Sequence, residues 1–192
     1  KIHGCTGPLF FALTPALVTL TSDRWRESKP RLADPAARTL ARWTMILASS
    51  LYLEIVFGAQ LRHVSLLGET GWFAVWVWIK LIMAGLIAVG VGWLWLYAVR
   101  RVDGRPMIVR RVKLLAGLFL LQLLLGAGTW VTNYGWPLWF RDLVWPLVYT
   151  VVGEGGLQVL TTTVHAAIGS LNLVVAVSLA LWSRRLLKGA PR

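Results

Sequence analysis

The chain has 192 residues, of which 57% are apolar and only 15% charged, and its mean hydropathy of +0.64 excludes an ordinary soluble domain. Its 20 Lys and Arg against 8 Asp and Glu give a net charge of +12, a balance that in a soluble protein points to nucleic acid. Both properties are accounted for when the cations sit between long apolar runs, mostly on one side of a membrane. No basic stripe then remains for nucleic acid.

Five runs are long enough for a ~30 Å hydrocarbon core, which takes about 20 helical residues. In chain order they cover 2–22, 39–62, 71–99, 114–131 and 157–182. They are continuous rather than alternating, so they read as helices and not as barrel strands. The expected fold class is all-α, a polytopic transmembrane bundle of five helices. After the first span come Arg24, Arg26, Lys29, Arg31, Arg38 and Arg42; after the third come Arg100, Arg101, Arg105, Arg110, Arg111 and Lys113; after the fifth come Arg184, Arg185, Lys188 and Arg192. The opposite side has only Lys1, Arg62 and Arg141, and Lys80 lies inside the third span. By the positive-inside rule the loops 23–38 and 100–113 and the C-terminus are cytoplasmic. Most of the 12 Trp fall near the two boundaries, as interfacial anchors do. The single cysteine, Cys5, excludes an intrachain disulfide. The sequence opens inside an apolar run with neither an initiator Met nor a cleavable signal, and reads as a fragment.

The spans repeat. The second carries Leu53-Glu54-Ile55-Val56-Phe57-Gly58-Ala59 and the fourth Leu121-Gln122-Leu123-Leu124-Leu125-Gly126-Ala127, each with an acid or amide four residues before Gly-Ala. The first and fifth share Ile2-His3 with Gly7 and Val164-His165 with Gly169, and in the third Lys80 fills the slot of the histidine. Small residues one turn after that slot let a neighbouring helix or a flat ligand approach the backbone. Duplicated two-helix units explain the pattern.

Ionisable groups inside a membrane are costly, so each calls for a partner or a role. A lone transmembrane histidine is either an interhelical hydrogen-bonding group or a ligand. The repeat of His165 with His3 favours the ligand, because two imidazoles at matched depth suit axial coordination of haem iron. Glu54 and Lys80 read either as a buried ion pair, or as a carboxylate for proton or oxygen chemistry and a lysine that snorkels or holds a haem propionate. His63 beside Arg62 is interfacial or binds a propionate; Gln122 reads as interhelical glue. The connection Val131-Thr132-Asn133-Tyr134-Gly135-Trp136-Pro137 has turn chemistry and aromatics that suit a pocket cap or an interface.

The segment Ile2-His3-Gly4-Cys5-Thr6-Gly7-Pro8-Leu9-Phe10-Phe11, the runs 53–63 and 122–131, and Val164-His165 with Gly169 resemble the haem A synthase family over nearly the whole chain. The resemblance implies eight transmembrane helices in two four-helix halves in a bacterial inner membrane, with haem on the outer side. It also implies oxidation of a haem O methyl to the formyl of haem A for terminal oxidases. Matched by motif, the five spans are the fourth to eighth family helices. Residues 1–38 are then a remnant of the N-terminal half and 39–192 the C-terminal four-helix bundle. His3 and His165 inherit iron-ligand roles; Arg62, His63 and Lys80 stay cofactor-binding candidates from the residue reading above, and the catalytic residue is unassigned, with Glu54 one candidate. Haem b is the implied cofactor, with haem O and haem A as substrate and product. The implied partners are the missing N-terminal helices, haem O synthase or a second copy, and the lipid bilayer. The chain departs from the family where Lys80 stands for a histidine and Glu54 for a glutamine, and the fragment is expected to be incomplete for catalysis. The alternatives are a non-enzymatic b-type haem electron-transfer subunit and a haem-free transporter or assembly protein.

Overall fold

In hydrocarbon a peptide group finds no water, so the apolar runs close their hydrogen bonds within the segment. The computed structural model describes residues 2–28, 35–62, 70–101, 106–136, 151 and 153–186. They form α1 (Ile2–Thr21), α2 (Asp23–Glu27), α3 (Pro35–Leu61), α4 (Thr70–Arg101), α5 (Pro106–Tyr134) and α6 (Gly156–Leu186). All except α2 are long and apolar enough to cross a bilayer, in agreement with the expected all-α polytopic bundle.

The helices α3, α4, α5 and α6 form a ring in chain order, with α6 closing against α3 and, among the described residues, no contact across either diagonal. α1 packs outside the ring on α6 and α3. Neighbours in the ring are antiparallel. Trp43 early in α3 meets Trp93 late in α4 with ring centroids 4.9 Å apart, and Thr132 late in α5 meets Thr161 early in α6 at 2.9 Å. α1 runs beside α6 in the same direction, and the chain then turns at Ser22, whose side chain caps α2 by accepting from Trp25 N at 3.3 Å. α1 continues through Pro8 and Pro15, as membrane helices do when threonine hydroxyls supply extra bonds; Thr19 Oγ1 donates to the Pro15 carbonyl at 2.8 Å. At the other end of the bundle Gly135 follows α5 with φ of 79°, a conformation that favours glycine; of the connection expected at 131–137, Val131, Thr132, Asn133 and Tyr134 belong to the helix and the turn comes only at Gly135.

Helix bounds differ from the apolar runs where charges flank them. α5 starts at Pro106 rather than near 114, so Arg110, Arg111 and Lys113 belong to a helix and not to a loop, and α4 runs through Arg100 and Arg101. Of the expected loop 100–113, residues 100–101 and 106–113 are helical, and 102–105 lie outside the described residues. In the expected loop 23–38, residues 23–27 form α2 and α3 already begins at Pro35. Hydropathy locates where side chains become apolar. The backbone keeps coiling past that point, because proline is accommodated at a first helical position and arginine stems lie along apolar surface with the head in water.

The packing is uneven along the bundle. Leu40, Leu47 and Leu51 of α3, Ile87, Val91 and Leu94 of α4, Ile108, Val112, Leu115 and Phe119 of α5, and Leu173, Ala176 and Leu179 of α6 are all buried, and all lie in the half nearer the basic ends. A Cβ on Gly90 would come within 2.8 Å of Leu47 Cδ2, so glycine there sets how closely α3 and α4 approach. Toward the other end, past Leu51, before Ile87 and after Phe119, the buried apolar set stops and polar side chains take over between the helices. The outer faces stay apolar, with Phe10, Trp78, Leu86, Val89 and Leu124 exposed, as suits contact with lipid.

Candidate functional site

Two polar pairs occupy the loosely packed half. Glu54 and Gly58 stand one turn apart on the same face of α3. From α4, Lys80 Nζ donates to Glu54 Oε1 at 2.7 Å, with the two side chains 25% and 14% exposed. A Cβ at Gly58 would lie 3.2 Å from Lys80 Nζ, so the missing side chain makes the seat for the ammonium.

α5 and α6 repeat the arrangement. Gln122 and Gly126 are again one turn apart, and Gln122 Nε2 lies 3.3 Å from His165 Nε2. A Cβ at Gly126 would stand 3.2 Å from His165 Cε1, and one at Gly169 would stand 3.1 Å from Gln122 Nε2. Each partner thus rests on the glycine one turn after the other. The sequence repeat is therefore also a packing repeat, and the space over these glycines is filled by the neighbour's polar head. With the amide nitrogen toward the ring, His165 Nε2 accepts and Nδ1 carries the proton; with the amide turned, Nε2–H donates to Gln122 Oε1 and Nδ1 keeps its lone pair.

A polar seam continues along α5 and α6. Gln158 Nε2 donates to Asn133 Oδ1 at 2.8 Å, Thr132 and Thr161 share a hydroxyl contact, and Asn172 Nδ2 donates to the Leu118 carbonyl at 3.3 Å. On α6 the seam reads Gln158, Thr161, His165, Gly169 and Asn172, a three-four spacing that puts all five on one face. That spacing is the signal by which Gln158, Thr161 and Asn172 were legible in the sequence, though residue-by-residue reading singled out only His165 and Gly169. Three side-chain atoms of the two pairs are buried without a hydrogen-bond partner among the described residues: Glu54 Oε2, Gln122 Oε1 and His165 Nδ1. Unmet polar groups in a dry interior are costly, so they mark where a ligand atom would be welcome.

The candidates fall out as follows. Glu54 and Lys80 are brought together as the ion pair that was one of their two readings. Gln122 is the interhelical group it was read to be, and its partner is His165. Arg62 is exposed at the end of α3, on the side of the bundle where these pairs lie. His3 is in the first turn of α1, where its side chain lies outside the description, and His63 lies outside the described residues. No protein-family model, curated protein or solved structure matches this chain.

The glycine seats are testable. Gly126→Ala is expected to push the imidazole by a few tenths of an ångström and to cancel its gain in helix propensity by a steric cost of about 1 kcal/mol or more. Gly117→Ala, where a Cβ meets nothing within 4 Å, should only stabilise. Thermal unfolding in detergent and the imidazole ¹⁵N shifts of His165 would separate the two; equal behaviour of both variants would remove Gly126 as a seat.

Proposed function

We propose that this chain is the membrane-embedded C-terminal part of a haem A synthase-like oxidoreductase, which oxidises a methyl group of haem O to a formyl group. The observation that carries the reading is His165, with one ring nitrogen held by Gln122 and the other buried and open in the loosely packed half of the bundle. An imidazole that ligates iron through Nδ1 carries its proton on Nε2 and donates it to the protein, so in this reading the Gln122 amide turns to present Oε1, an oxygen buried without a partner among the described residues.

In this reading His165 holds a haem b. His3, together with helices outside this chain, holds the substrate haem. Arg62 suits a propionate at the end of the bundle, and Lys80, committed to Glu54, contributes charge and not a lone pair. When bound, the haem supplies the redox chemistry. The chain's own groups orient the imidazole through Gln122, exclude water by the apolar packing below, and keep a carboxylate, Glu54, nearby. The excess of cations at one end makes that end cytoplasmic and the site outer. The second reading, a b-type haem electron-transfer subunit, is favoured by the Glu54–Lys80 pair, which leaves Lys80 without a free electron pair for iron.

A pyridine haemochrome spectrum of the full-length protein decides between these. Haem O or haem A is expected; haem b alone would favour the electron carrier, and no haem would end both readings. His165→Ala is expected to remove most of the bound haem b, and unchanged haem per protein would take His165 off the ligand list.

A further inference from the structure

The basic end of the bundle holds a built cluster that the haem reading leaves unused. Trp25 of α2 packs edge-on against the buried Trp182 of α6, with ring centroids 5.2 Å apart. An arginine covers each ring. Arg111 of α5 lies 5.5 Å from the Trp182 centroid and Arg185 of α6 lies 5.5 Å from that of Trp25. Arg185 is spent on structure, since its Nε donates to Ser28 Oγ at 3.2 Å and an Nη2 donates to the Arg26 carbonyl at 3.3 Å, which ties α2 down beside α6. Arg111 gives one Nη1 bond to the Met107 carbonyl at 3.3 Å and keeps its remaining donors. Arg24, exposed on α2, is the chain neighbour of Trp25, whose ring meets the indole that Arg111 covers, so both guanidinium groups belong to this one cluster. Among the described residues no carboxylate pairs with either; Asp23 is taken by Arg26 at 4.0 Å.

Two cations gathered at one aromatic cluster, with α2 tied down beside α6 and neither of them paired to a carboxylate among the described residues, suit an anion. We propose that Arg24 and Arg111 bind the phosphate of an anionic phospholipid in the leaflet at the basic end. The level of the site argues for a lipid, because the edge-on Trp25–Trp182 pair lies where α1 and α6 leave the apolar zone and paired indoles favour the headgroup region. Guanidinium groups suit phosphate through forked hydrogen bonds.

Native mass spectrometry of the full-length protein with dioleoyl phosphatidylglycerol, dioleoyl phosphatidylcholine or inorganic phosphate tests this. The glycerol lipid is expected to be retained in preference to the choline lipid, and Arg24→Ala with Arg111→Ala to lower its retention roughly fivefold for each arginine removed. Arg100→Ala with Arg101→Ala removes the same charge at the end of α4, away from α1 and α6, and is expected to change retention less than about twofold. Equal losses in the two double variants would reduce the site to general surface charge and overturn the proposal. So would displacement of the lipid by inorganic phosphate, which would mark a free-anion site. Arg24 is exposed, so Arg24→Ala alone should show its fivefold loss with an unchanged unfolding temperature. Retention unaltered in that variant would also refute the assignment.

Discussion

Glu54→Lys is expected to abolish recovery of folded protein from the membrane, and Glu54→Lys combined with Lys80→Glu to restore much of it. In the single variant two ammonium groups meet where a 2.7 Å ion pair stood, inside a span and on a seat shaped by Gly58. Leaving one member of a buried pair without its partner costs about 3–5 kcal/mol, and a lysine at the centre of a membrane helix costs about 2.5–3.5 kcal/mol. Against a total stability of about 5–15 kcal/mol, a penalty of this size removes a large share of the fold. Residual exposure of the two side chains puts the loss toward the lower end of the range. Rescue by the swap is incomplete on geometric grounds. Gly58 makes room on α3 for a long side chain arriving from α4, whereas the position one turn after Lys80 is Ala84, so a lysine arriving from α3 finds a tighter seat. Yield of monodisperse protein in detergent and its unfolding midpoint measure both effects. If the swap recovers nothing, the two charges have separate duties and the pair is incidental.

Much of the fold was legible because a membrane leaves the backbone few options. Each apolar run closed its own hydrogen bonds, and the charges between runs gave the alternation of direction that Trp43 with Trp93 and Thr132 with Thr161 display. The stretch 106–113 was misread for a definite reason. Pro106 and the cations Arg110, Arg111 and Lys113 look like a loop to a hydropathy profile, yet a proline at the first helical position and snorkelling arginines belong to the end of a long helix. The site was legible as a set of costly residues but not as pairs. Glu54 and Lys80 were single charges that needed partners, and opposite sign made each the natural partner of the other. His165 with Gln122 was harder, because two neutral groups carry no such sign, and which one faces which depends on how α5 and α6 are rotated. The rotation was present in the sequence as the polar stripe from Gln158 to Asn172, spread over four turns where no single residue announces it. Trp25 and Trp182 read separately as interfacial anchors. Their meeting depends on the turn at Ser22 that folds α2 back on α6, a tertiary event with little local signal.

The packing repeat makes the second large prediction, which rests on the haem reading. Lys80→His with Glu54→Gln is expected to convert the α3–α4 pair into a copy of the α5–α6 pair, with a glutamine on the first helix, a glycine one turn later and an imidazole above it. The two histidines then belong to α4 and α6, the helices across the ring from each other, so they approach a common space from opposite sides. In the native chain Lys80 is a cation bound to Glu54 and has no electron pair to give to iron, which leaves His165 as the single imidazole of that region among the described residues. Reconstitution with haemin should therefore give a mainly high-spin spectrum for the native chain and a low-spin, two-imidazole spectrum for the double variant. Affinity should rise by at least the roughly 10–100-fold that even outer partners of a metal ligand contribute. Adding His165→Ala to the double variant should return it to one-ligand behaviour, now through residue 80, and this exchange is what distinguishes a true equivalence of the two slots from nonspecific haem uptake. Glu54→Gln alone is the necessary contrast. It leaves the Lys80 charge without its counter-ion, so it should lower stability without changing the haem spectrum. A double variant whose spectrum matches the native one would mean that the repeat governs how helices pack and not where iron is held, and the haem reading would then stand on His165 alone.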